Sequence, residues 1–166
     1  MILALDTYYR ENMAKTVGIA FHWNDLEPRQ VYTAIHEPVK PYISGQFYQR
    51  ELPCLKQLLD KIDLSSIEAI IVDGYVFVDN EKKYGLGGHL WETLGQTIPV
   101  IGVAKNALKD TEKVSVPLLR GKSTNPLYVS TMGLPLDKTA TKVEKMQGPY
   151  RIPTLLKKLD QLTREK

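Results

Sequence analysis

The spacing of apolar residues changes period several times along this 166-residue chain, and each change predicts an element. Ile2–Leu5 is a short apolar run of strand type that ends at Asp6. Lys15–Trp23 (KTVGIAFHW) and Arg29–Ile35 (RQVYTAI) predict two more strands, with Asn24, Asp25 and Pro28 marking the turn between them. Three successive strands joined by short polar turns predict an antiparallel meander. From Gly45 to Ile62 the period becomes helical: Leu52, Leu55, Leu58, Leu59 and Ile62 recur at three and four. Pro53 is expected in the first turn of that helix, where its missing N–H costs little. Glu51 then opens the helix in a register that turns it inward, and a carboxylate on a buried side needs a metal or a base as partner.

Ala69–Val72 has the β-branched content of a buried strand and stops at Asp73-Gly74. By itself an Asp-Gly pair after a strand is more often a turn. In open α/β sheets, however, ligands bind outside the carboxyl ends of strands. A helix over Leu86–Gly95 and a strand over Ile98–Val103 follow, a spacing that favours a parallel crossover. Beyond Lys105 the chain is polar to Leu118, with one further strand expected at Leu127–Ser130. Helices over Leu136–Met146 and Thr154–Leu162 are separated by Gly148-Pro149. With no internal repeat, low-complexity run or linker, the pattern predicts a single α/β domain over residues 1–166. Its sheet is mixed, antiparallel in the first three strands and parallel afterwards, with helices flanking it.

Composition alters this picture in three places. Hydrophobic residues at 43% and charged residues at 25% exclude a disordered or fibrous chain. The net charge of +3 is uneven: residues 138–166 carry eight Lys and Arg against three acids, which leaves the remainder near −2. That tail suits a polyanion as well as it suits a pair of solvated helices. The single Cys54 rules out an internal disulfide and a cysteine-based zinc site, and fits a reducing compartment. The apolar run at the N-terminus is too short for a signal peptide and no stretch reaches transmembrane length, so a cytoplasmic location is expected.

Three acids stand at comparable positions: Asp6 after the first strand, Glu51 at the first helix, Asp73 after the fourth strand. Neighbouring first and fourth strands would bring Asp6 and Asp73 side by side, with Glu51 closing the group. Three carboxylates raise one another's pKa unless neutralised, and such hard oxygen donors suit Mg²⁺ or Mn²⁺. Sites of this kind serve phosphoryl chemistry. Strand, two antiparallel strands, helix and strand with these acids describe a ribonuclease-H-like architecture.

The local wording goes further. PYISGQFYQREL (41–52), VDG (72–74), KYGLGGHL (83–90) and IPVIGVAK (98–105) resemble the endonuclease V family in order and spacing. The similarity resumes at PLYVS (126–130) and YRIPT (150–154). The resemblance implies a ribonuclease-H-like, Mg²⁺-dependent endonuclease, with Mn²⁺ able to substitute. Such an enzyme cleaves the second phosphodiester 3′ to inosine, the product of adenine deamination, and leaves 3′-hydroxyl and 5′-phosphate ends. Its partner is nucleic acid, DNA or RNA; no membrane and no protein partner is implied. Asp6, Glu51 and Asp73 match the metal-binding acids and Lys105 the active-site lysine. Tyr42 matches the tyrosine that wedges beside the damaged base, with Arg50 its basic neighbour. Gly45 would let backbone approach the extruded base, Gly87 and Gly88 would do the same near a phosphate, and His89 matches a histidine at a helix start. Against these roles stand plainer ones: a half-buried core tyrosine, a lysine snorkelling past a strand end, a structural histidine.

The chain also departs from the family. The N-terminal helical segment expected of most relatives is not seen in this sequence, the stretch after Lys105 is shorter, and Ser44 replaces the wedge proline. Asp79 stands six residues after Asp73, where the family carries a histidine, and so puts an acid where a donor normally assists at the metal. Lys157 or Lys158 is expected in place of a late histidine. Two alternatives therefore remain: a nuclease of the same chemistry for single-stranded, flapped or RNA substrates, and a weakened module that only binds nucleic acid.

Overall fold

The computed structural model describes residues 1–37, 41 and 47–166. The two strands that carry acids, β1 (Ile2–Arg10) and β4 (Ala69–Asp73), pair in parallel at the centre of a seven-stranded sheet. On one side β1 continues through antiparallel β2 (Met13–Phe21) to β3 (Gln30–His36), which is the expected meander. On the other side β5 (Val100–Ala104) lies parallel to β4, as the crossover spacing predicts. Then β7 (Leu127–Met132) and β6 (Val116–Leu118) return antiparallel, giving the order β3-β2-β1-β4-β5-β7-β6.

Side chains alternate across a strand, so each strand of the centre feeds two cores. Leu3, Leu5, Ile70 and Val72 pack with Leu55, Leu58 and Leu59 of α1 (Phe47–Leu59) and with Leu86 and Leu90 of α2 (Leu86–Thr93). Ile2, Ala4, Ile71, Ile101 and Val103 face the other way. They meet Ala140 and Val143 of α3 (Leu136–Glu144) and Leu155 and Leu159 of α4 (Thr154–Arg164). The result is helix, sheet and helix in three layers.

Three expectations need correction. Asp6 does not end its strand, because β1 leaves β4 at Leu5 but stays paired with β2 as far as Arg10 opposite Met13. Pro53 is not in the first turn: α1 already begins at Phe47, so the proline lies inside the helix. The polar stretch after Lys105 contains a strand, β6, whose three residues are too few to show a period. Among the described residues no helix is long and apolar enough to cross a membrane.

Candidate active site

Register brings the acids together. Leu5 lies opposite Val72 in the parallel pair, so Asp6 and Asp73 are the next residue on each strand. Alternation turns both toward the α4 face, with Ala4 and Ile71, and Lys105 follows Ile101 and Val103 onto that same face. A cavity of about 260 Å³ opens there, with Asp6, Asp73, Lys105, Arg151, Lys157 and Asp160 around an apolar floor. Lys105 Nζ stands 3.8 Å from Asp73 Oδ2.

The turn that presents Asp73 depends on a glycine in the next strand. A Cβ on Gly102 would lie 2.5 Å from the Gly74 carbonyl and 2.7 Å from Ser130 Oγ. Ser130 Oγ in turn accepts from the Val76 N–H at 2.9 Å. With no side chain at 102, the chain leaving Asp73 can cross directly over β5 toward Ser130. This gives the glycine of the IGVAK motif a physical reason.

Glu51 arrives from α1 on the opposite layer and is 4% exposed. Burial, then Asp6 and Asp73, push its carboxyl well above the ordinary range, and Arg50 only partly opposes this. Among the described residues it makes no hydrogen bond or ion pair. Burial and Asp73 likewise raise Asp6 to about 7, with the Thr7 N–H and Lys105 pulling it back. Asp73 is raised by burial and lowered by Lys105. Glu51 does not line that cavity, and among the described residues no group of three His, Cys, Asp or Glu side chains is placed to hold a metal ion. The excess negative charge and hard oxygen donors of Asp6, Asp73 and Asp160 nevertheless fit a divalent cation.

Asp160 was not expected from the sequence. It lies on α4, one turn beyond Leu156, and acts electrostatically on both Asp6 and Asp73. Arg164 Nε holds its two carboxylate oxygens at 3.3 Å each. Of the two lysines expected nearby, Lys157 lines the cavity and Lys158 points to solvent. The helical period of Leu155 and Leu159 was the available signal, since Asp160 shares their inward edge with Leu156.

The other residues fall into distinct places. Arg50 lays its guanidinium over the Tyr9 ring at 3.7 Å, and its Nε and Tyr9 Oη are buried without partners among the described residues. Gly87 and Gly88 do not offer free N–H groups to a phosphate. They donate to the carbonyls of Tyr75 and Val76, and Val76 and Tyr84 fill the space a Cβ would need. Asp79 Oδ1 accepts from the N–H groups of Glu81 and Lys83, closing its own loop. Tyr42 and Gly45, with Ser44, lie outside the described residues. His89 stacks on Tyr48 with centroids 3.8 Å apart and meets the Tyr84 edge at 5.7 Å. Together with Gly74, Tyr75, Gly85 and Leu108 they line a second cleft of about 970 Å³, on the far side of the Asp73 turn.

A sequence profile of the family described as Endonuclease V matches residues 1–117. The chain is 26% identical to the endonuclease V of Geotalea uraniireducens, over 99% of this chain and 76% of that protein. The structure is similar to endonuclease V from Streptomyces avermitilis, with a TM-score of 0.81 and 25% identity over 98% of this chain and 79% of the other. It shares its fold with Ciona intestinalis endonuclease V solved with DNA containing an inosine followed by a ribo-adenosine. There the TM-score is 0.80 and the identity 19%, over 98% and 84% of the two chains.

Proposed function

The chain belongs to the endonuclease V family, and we propose that it is a divalent-cation-dependent endonuclease cutting nucleic acid 3′ to inosine. The observation that carries this reading is the adjacency of Asp6 and Asp73 beyond Leu5 and Val72, with Glu51 buried behind them. Mg²⁺ bound there would supply Lewis-acid stabilisation of a reacting phosphate and an activated water.

The chain's own residues account for the rest. Asp6 and Asp73 present oxygens to the cavity and would hold the cation, whose charge would also offset that of Glu51 buried behind them. Asp160, tethered by Arg164, adds a fourth carboxylate from the α4 side. Lys105 brings its ammonium to the cavity, where it favours charge gathering on phosphate oxygens as the P–O3′ bond breaks. The oxygen of water bonds to phosphorus and loses a proton while the leaving O3′ takes one up, giving a 3′-hydroxyl and a 5′-phosphate. The cleft beside Tyr48, Tyr84 and His89 suits an extruded base, because an aromatic wall replaces the stacking lost on leaving the duplex. Burial lowers the His89 pKa, which favours the neutral ring for stacking.

The test is digestion of inosine-containing and matched plain oligonucleotides, in DNA and RNA form, with Mg²⁺, Mn²⁺ or a chelator. Cleavage at the second phosphodiester 3′ to inosine, lost with the chelator, is expected. Equal cutting of plain strands would overturn the base preference, and binding without cutting would overturn the enzyme.

A further inference from the structure

Lys105 sits where the sheet stops holding it. The ladder between β5 and β7 ends at Ala104 opposite Tyr128. Continuing it would bring Asn106 opposite Pro126, which has no N–H to donate. Arg151 closes this gap. Its Nη2 donates to the carbonyls of Lys105 and Pro126, the latter at 2.9 Å, and its Nε donates to the Asn125 carbonyl at 3.0 Å. One guanidinium thus clips the two strands together just beyond their last backbone pair.

Arg151 is itself anchored by a second arginine. Arg120 is 5% exposed and makes no ion pair among the described residues. Its guanidinium donates to the carbonyls of Glu144, Met146, Gly148, Tyr150 and Arg151. Those acceptors span the connection between α3 and α4, so Arg120 fixes the backbone from which Arg151 reaches out. A buried arginine satisfied wholly by carbonyls holds shape rather than charge, because each N–H direction of its planar fork is specified.

We propose that Arg151, secured by Arg120, is a positioning residue that sets the backbone of Lys105 and hence the direction of its ammonium toward Asp73. The inference rests on the assignment of Lys105 to the reaction. Arg151 also lines the cavity, but among the described residues its hydrogen bonds go to carbonyls, so the influence inferred here passes through Lys105. Lysine at 151 would keep the charge but cannot span three carbonyls as a planar fork.

Single-turnover cleavage of an inosine-containing strand with Mg²⁺ would be compared for the wild type, R151Q, R151K, K105A and K105A/R151Q. A misaligned catalytic group costs roughly 10- to 100-fold, so R151Q is expected to slow cleavage at saturating strand by about that factor, while R151K, which keeps the charge, should bind the strand like the wild type. R151K should fail to restore the rate, and R151Q should add no further loss in the K105A background. Amide exchange over residues 104–106 should rise in R151Q and R151K, a readout that needs no activity. Wild-type rates in R151K, loss of strand affinity in R151K, the full R151Q effect without Lys105, or unchanged exchange would each overturn the inference. A wild type that cuts no strand would instead defeat the proposed function, leaving the exchange measurement to judge the clip.

Discussion

The Lys105 ammonium stands 3.8 Å from the Asp73 carboxylate, and both side chains remain a little over two-fifths exposed at the cavity. That separation exceeds a hydrogen bond, and exposed pairs of this kind contribute at most about 1 kcal/mol to stability. Asp73 is therefore held loosely enough to give its oxygens to a cation. Asp73→Asn should reduce cleavage by about 10³-fold or more, equivalent to roughly 4 kcal/mol of barrier. Its thermal melting should stay close to that of the wild type. Full activity in this variant would remove Asp73 from the site.

Asp6 keeps its proton to about pH 7 in the folded chain, since burial and Asp73 both disfavour the carboxylate. An unfolded aspartate releases its proton near pH ~3.9. Between those values the folded state binds more protons, so this group's contribution to stability is greatest in acid and is lost as pH rises through 7. A cation needs the ionised form, so its affinity should climb over the same range. Melting curves with chelator or Mg²⁺ at about pH 5 and about pH 8 test both signs. Mg²⁺ should raise the melting temperature more at the higher pH; equal gains at both would contradict the buried-acid account.

Gly102 is the point where sheet packing controls the Asp73 turn. In Gly102→Ala the new methyl would lie 2.5 Å from the Gly74 carbonyl and 3.0 Å from the Val76 nitrogen, both backbone atoms with little room to yield. Overpacking of this kind costs about 1–3 kcal/mol. Chemical denaturation should report that loss. Cleavage should fall further than Gly95→Ala lowers it, although alanine at 95 carries its own strain at φ +72° and crowds nothing closer than 4.0 Å.

The Tyr48–His89 stack forms one wall of the second cleft. If a base enters there, His89→Ala should weaken binding of an inosine-containing strand by about 1–3 kcal/mol, the scale of one stacked base. The rate at saturating strand should change much less. Equal weakening for a plain single strand would mean that the wall does not receive the inosine.

What the sequence determined by itself was largely what short-range periodicity encodes. The apolar runs Ile2–Leu5 and Ala69–Val72, the strand patterns at 15–23 and 29–35 with the turn between them, and the helical spacing from Leu52 to Ile62 were enough for the meander and the parallel crossover. Boundaries were less legible at Asp6 and Pro53, because a hairpin partner and an early helix start extend elements past their local signals. The tertiary structure alone decided the rest. It brought Asp160 to Asp6 and Asp73 from the far end of the chain, spent Asp79 on its own loop, and turned Gly87 and Gly88 into packing positions. It also joined Arg120 and Arg151 to the backbone of Lys105. The physical reason is common to all of these. A hydrogen bond to a carbonyl, or a charge felt across a cavity, depends on which faces the packed layers bring together, and residues far apart along the chain carry no periodic trace of that meeting.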